Sequence, residues 1–153
     1  MQISPERLAL TQELEALLAD YWYDVDTNWG RNAHLYYAED SRFIGMKHTY
    51  EGRDQIRAFY KWRKDRGERT VVHMITNFRA LPDGEDQATC NWVLQLYAAD
   101  GTPVRPMSHP IQVTQMSDRL RCVPGEGWLI TERRFEDMFV GGIPATNPDL
   151  SAR

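Results

Sequence analysis

Hydrophobic positions near the start of the chain recur at three- and four-residue steps. Leu10, Leu14, Leu17, Leu18, Tyr21 and Val25 form one stripe, which predicts an amphipathic helix. Ser4, Pro5 and Glu6 mark its beginning. Serine caps a helix, proline suits the first helical position, and acid favours the positive end. The pattern runs to about Asp26 and stops by Gly30. On a 100° wheel Trp22 falls on the edge of the stripe and Asp26 just past it, with Asp24 on the opposite edge. A short second helix is expected over 32–38 and a short strand over 43–46. A third helix is expected over 53–64, where Ile56, Phe59, Tyr60 and Arg63 keep helical spacing and Gly67 ends the run.

The period then changes to two. Residues 70–80 are rich in β-branched side chains and alternate as a strand. Pro82, Asp83 and Gly84 signal a turn. The next strand spans 87–97, closed by Asp100 and Gly101. Pro103, Pro106 and Pro110 break up the stretch after it, so a further strand is expected only over 111–122. After a turn at 124–127 the last strand covers 128–139. Helices succeeded by a meander of long strands predict an α+β domain over 1–140, with a tail over 141–153. Such a sheet covers one apolar face with its helices. When it curls, a cavity opens beneath the first helix, and His73 is expected inside it.

Composition narrows the classes. The net charge is −4 with no basic block, which argues against nucleic acid. No apolar run approaches the roughly 20 residues that span a bilayer. The N-terminus lacks the basic start and apolar run of a signal peptide, so a cytoplasmic location is expected. Cys90 and Cys122 lie in separate strands with no CxxC pair, and read as reduced, buried thiols. The histidines stand apart at 34, 48, 73 and 109. No Gly-rich nucleotide loop, HExxH or GxSxG motif is present. Neither a cofactor nor a metal is expected. Aromatics make up 11% of the chain, which suits either an aromatic core or a pocket for a flat ligand.

The candidate chemistry centres on His73, flanked by Val71, Val72, Met74 and Ile75. A histidine on an apolar strand is ordinarily a hydrogen-bonded core residue. It is also suited to remove a proton near neutral pH. A histidine base works best when its other nitrogen donates to a buried carboxylate. Asp26 and its rival Asp24 are the candidates. Charge stabilisation by one donor in a dry site is worth about 3–4 kcal/mol. Tyr23, Tyr50, Asn77 and one of the pair Arg133-Arg134 are the candidate donors, since strand alternation sends only one of two adjacent arginines inward. Cys90, Trp92, Leu94 and Leu96 share a strand face. With Trp22 and Phe59 they either line a pocket or lie buried under the helices.

The segments YWYDVD, WGRNAHLYYAEDSRF, YEGRDQIRAFY, VVHMITNFRA and GWLITERRF, in this order, resemble the SnoaL-like branch of the NTF2-like superfamily over roughly residues 8–140. The resemblance implies a cone-shaped curved antiparallel sheet packed on three N-terminal helices, the NTF2-like or cystatin-like α+β barrel. His73 resembles the catalytic histidine of scytalone dehydratase, bile-acid 7α-dehydratase and hexachlorocyclohexane dehydrochlorinase. The last two pair it with an aspartate late in the first helix, a place that Asp26 occupies here. The spacing from Trp128 resembles the dehydrochlorinase and favours Arg133. A second histidine serves scytalone dehydratase, and His109 lies near that region, directly before Pro110.

The resemblance thus implies a cofactor-independent lyase or isomerase for a small aromatic or cyclic substrate, working through an Asp-His general base. The alternative is a non-catalytic subunit or ligand-binding module, like the small subunits of ring-hydroxylating dioxygenases. A homodimer or homotrimer is expected, because Trp128, Ile130 and Phe139 would be costly to leave wet on the outer face.

Overall fold

The computed structural model describes residues 3–45 and 47–141. The predicted tail therefore lies almost wholly outside the described residues. Helix α1 (Pro5–Thr27) is followed by a single 3₁₀ turn (Ala33–Tyr36), strands β1 (Tyr37–Ile44) and β2 (Thr49–Glu51), and helix α2 (Gly52–Asp65). Four long strands complete it: β3 (Arg69–Pro82), β4 (Gln87–Asp100), β5 (Gln112–Val123) and β6 (Gly127–Val140). They form one unclosed six-stranded sheet in the order β2-β1-β6-β5-β4-β3. Every neighbouring pair is antiparallel except β1 with β6, which is parallel. The expected antiparallel sheet thus holds at every pair but that one.

Helix α1 starts as expected. Ser4 accepts from the Arg7 amide at 3.2 Å, and Pro5 takes the first helical position. Leu14, Leu18, Tyr21, Trp22 and Val25 are its buried face. Full burial of each aliphatic side chain contributes about 1.5–3 kcal/mol. The stripe meets β3 and the concave side of the sheet, where Cys90, Trp92, Leu94, Met116, Leu120 and Ile130 join the same core.

The predicted second helix at 32–38 does not form. Only Ala33–Tyr36 coils, and Tyr37 enters a strand paired with Ile130 of β6. A seven-residue helix is marginal by itself. Asn32, at the start of the segment, donates its amide and side chain to the Asp24 carboxylate and does not cap it. Among the described residues two α-helices, not three, therefore cover the sheet.

Irregular pairing bends the long strands. The register between β3 and β4 shifts across 76–79, and β5 against β6 shifts twice. An extra residue on one strand bends it and increases its twist. Asn77 sits in the first of these shifts with φ 53° and is exposed. Ile130, expected on a wet outer face, is fully buried; Trp128 is half-buried, and Phe139 is 67% exposed. The shift between Arg119 and Leu120 leaves Thr131 unpaired, directly after Ile130, which joins the core.

Candidate active site

Asp26 lies in the last turn of α1, and His73 lies on the edge strand β3 beneath it. The edge position is what makes the pairing available. No described strand lies beyond β3 to take the His73 amide, and Asp26 takes it instead. Its Oδ2 accepts from the His73 backbone N–H at 2.8 Å, and its Oδ1 meets Nδ1 of the ring at 2.5 Å. One carboxylate thus holds both the backbone and the ring. Because a carboxylate only accepts, Nδ1 carries the proton and Nε2 the lone pair. Among the described residues nothing hydrogen-bonds Nε2.

The ring stacks on Trp22, with centroids 4.0 Å apart and planes 15° apart. Its side chain is 4% exposed. Burial pushes the imidazole down to about 4; the hydrogen bond and charge of Asp26 pull it back, and Arg63 and Arg69 depress it further. His73 is therefore neutral at pH 7. The rival Asp24 does different work. It accepts from the side chains of Asn28 and Asn32 and from the Asn32 amide, and so braces the turn after α1.

A second cluster lies deeper. Arg133 is fully buried and bonds Asp118 through two parallel contacts, Nε to Oδ1 and Nη2 to Oδ2, each 2.8 Å. The Trp92 indole donates to the same carboxylate at 3.1 Å. The guanidinium carbon lies 4.5–5.7 Å from the ring centres of Tyr21, Trp22, Tyr37 and Trp92. Burial by itself would lower the Arg133 pKa, but the charge of Asp118 holds it well above the usual value. Nη1 of Arg133 and the Nε1 donor of Trp22 are both buried without a hydrogen-bond partner. Beside them the Tyr21 hydroxyl meets those of Tyr37 and Tyr60, and burial raises the pKa of all three. As expected of adjacent strand residues, Arg134 turns the other way, toward Glu132.

Trp22 and Trp92 belong to this arrangement, and Leu94 is buried in the core beside them. Phe59 and Tyr50 are brought together elsewhere. Their rings lie 4.7 Å apart and pack with Phe43, and none of the ring contacts of Tyr50 reaches Asp26 or His73. Two expected donors are corrected. Tyr23 is 71% exposed, because Tyr21, Trp22 and Val25 take the inner face of the helix and position 23 falls outside it. Asn77 sits at the strand irregularity, where its left-handed backbone is one that asparagine tolerates, and it makes no hydrogen bond to Asp26 or His73. His109 is exposed in the 101–111 connection.

Sequence reasoning missed Asp118, whose signal was an acid in the otherwise inward run Thr114, Met116, Leu120. It also missed a narrow, open cleft lined by Val25, Trp29, Arg63, Arg69 and Val71. Among the described residues no group of three or more His, Cys, Asp or Glu side chains is placed to hold a metal ion. No described helix is long and apolar enough to cross a membrane.

The fold has matches among known proteins. The profile of the SnoaL-like domain family matches residues 6–134. No curated protein matches. Among solved structures, a candidate scytalone dehydratase from Novosphingobium aromaticivorans DSM 12444 superposes with a TM-score of 0.77 at 19% identity, over 90% of each chain. A protein of unknown function with a cystatin-like fold from Nostoc punctiforme PCC 73102 gives 0.70 at 18% identity, over 94% of this chain and 98% of the other. A candidate aromatic ring hydroxylase from Novosphingobium aromaticivorans gives 0.69 at 18% identity, over 90% and 93%. At these identities the likeness speaks for the fold.

Proposed function

Since the chain belongs to the SnoaL-like domain family, we propose that it is a cofactor-independent lyase or isomerase for a small aromatic or cyclic substrate, with His73 as general base and Asp26 as its orienting partner. The observation that carries this reading is the double grip of Asp26 on the amide and ring of His73. It sets the tautomer with the lone pair on Nε2. In the reaction Nε2 removes a proton from carbon, and Asp26 stabilises the imidazolium that forms. A β leaving group then departs, or the proton returns at another carbon.

The buried ring is a weak base. A fall from 6.5 to about 4 removes roughly 3 kcal/mol of driving force for proton transfer. The developing negative charge therefore needs a donor. Arg133 Nη1 and Trp22 Nε1 are buried, unpaired and clustered around the ring on which His73 stacks. One such donor supplies about 3–4 kcal/mol in a dry site, enough to offset the deficit. Tyr50 stays a proposal of lesser reach, a hydroxyl able to protonate a leaving oxygen if substrate extends to it.

The test is exchange of carbon-bound hydrogen for deuterium in D₂O, read by mass spectrometry over a panel of cyclic and aromatic C–H acids. The intact protein should catalyse exchange on some member. His73→Ala should lose at least ~10³-fold, within the range that general acid–base catalysis contributes, while keeping its circular dichroism. Full exchange activity in His73→Ala would overturn the reading.

One observation favours a second reading, a non-catalytic subunit or binding module. Met138, Phe139 and Val140 at the end of β6 are each more than half exposed, beside the exposed 102–109 segment. An apolar strand end of this kind suits a subunit contact, whether in a homodimer, a homotrimer or a mixed assembly. In that case His73→Ala would change nothing but stability.

A further inference from the structure

The cleft beside the catalytic pair gathers positive charge. Val25 and Val71 form part of its wall, and each is a close chain neighbour of the pair: Val25 directly precedes Asp26, and Val71 is two residues before His73. Residues two apart on a strand share a face about 7 Å apart. Arg63 and Arg69 bring two guanidinium groups to the same opening. Arg63 lies over the rings of Phe59 and Tyr60.

Arg69 is the unusual one. Its Nε and Nη2 atoms are shielded from solvent and have no hydrogen-bond partner. Its pKa is pushed down to about 10, first by burial, then by the like charges of Arg63 and Arg66, with Asp100 as the opposing charge. Shielded donors on a cation are costly to leave unpaired. The third feature is Trp29, which flanks the opening with a left-handed backbone, φ 61°. A bulky residue there is strained, and such strain gathers at ligand sites.

We propose that Arg69, with Arg63, binds an oxyanion of the substrate at this cleft, so that the molecule presented to His73 is a small aromatic or cyclic acid rather than a neutral compound. The planar fork of arginine fits a carboxylate or a phosphate through two parallel hydrogen bonds. Bound anion would satisfy Nε and Nη2 together. It would also screen the two positive charges that weaken His73 as a base, so the correct substrate would strengthen the group that attacks it. Only the identification of the ligand as substrate rests on the general-base reading; the anion site itself does not.

The test is calorimetric titration at low salt with benzoate, phenyl phosphate and the uncharged benzamide. At least one anion should bind about ten-fold or more tightly than benzamide, a charge-assisted contact being worth that much, and the tighter of the two identifies carboxylate or phosphate as the group read. Arg69→Gln should remove that preference, Arg69→Lys should keep part of it, and His73→Ala should keep all of it. Arg69→Gln should melt no lower than the parent, since it removes an unpaired, shielded charge. Should Arg69→Gln fail to fold, Arg63→Gln carries the test, with at least a roughly three-fold loss expected from the second, more distant charge. Equal binding of all three compounds, or unchanged anion affinity in the arginine variants, overturns the proposal. Anion binding without deuterium exchange would leave the site standing and sink the base. Exchange on neutral compounds without anion binding would do the reverse.

Discussion

Asp26→Asn tests the site most directly, because it exchanges one oxygen for an amide nitrogen and leaves the volume unchanged. Asp26 accepts two hydrogen bonds, 2.8 Å from the His73 amide and 2.5 Å from Nδ1 of the ring. Asparagine has one accepting oxygen. If that oxygen keeps the backbone N–H, the new NH₂ faces Nδ1 and must donate to it. The ring proton then moves to Nε2, and the lone pair needed for the reaction is gone. The same substitution in the Ser-His-Asp triad costs about 10⁴-fold in kcat. Here a loss of about 10²–10⁴-fold in deuterium exchange is expected. Stability should change far less. A charge-assisted contact becomes a neutral one, a difference of about 1–2 kcal/mol, or roughly 2–8 °C in Tm for a chain of this size. Long-range ¹H–¹⁵N correlation spectra of the histidine ring read the tautomer independently of activity. The reasoning is refuted if Asp26→Asn keeps the proton on Nδ1, or keeps exchange within about ten-fold of the parent.

The depressed His73 pKa also predicts a pH dependence. The unfolded ring takes up a proton near 6.5 and the folded ring only near 4, so this contribution is complete above pH 6.5 and lost as pH falls toward 4. Its size is roughly 3 kcal/mol, and denaturant melts between neutral pH and the folded pKa should lose that part of their slope in His73→Gln. Asp118→Ala leaves Arg133 buried without its charge partner and should cost about 3–5 kcal/mol, seen as a large fall in the urea midpoint; a loss under about 1 kcal/mol would refute the buried pair. Gly30→Ala would drive a methyl into the Tyr60 ring at a φ of +67°. That ring is tied by its hydroxyl to Tyr21, so about 1–3 kcal/mol of destabilisation is expected, and a Tm unchanged within about 1 °C would contradict it.

The α1 stripe, its Ser4-Pro5 start and the four long strands were legible along the chain because each is a local signal: a cap, a period or a turn residue. So was the resemblance that set Asp26 beside His73 as the expected pair. The residues that only the tertiary structure decided are those whose environment comes from distant parts of the chain. Segment 32–38 reads as a helix locally, yet pairing with β6 draws Tyr37 into a strand. Asp118 and Arg133 lie on neighbouring strands in direct register, and neither position announces the other. Tyr23 and Asn77 carry suitable chemistry, but the pitch of α1 and the break in β3 keep them away from the pair. Arg63 and Arg69 sit on either side of the α2–β3 turn, and only packing with Val25 and Trp29 makes them walls of one cleft. Periodicity reports which side of an element is buried; which groups meet there depends on register, twist and the irregularities that a linear pattern does not encode.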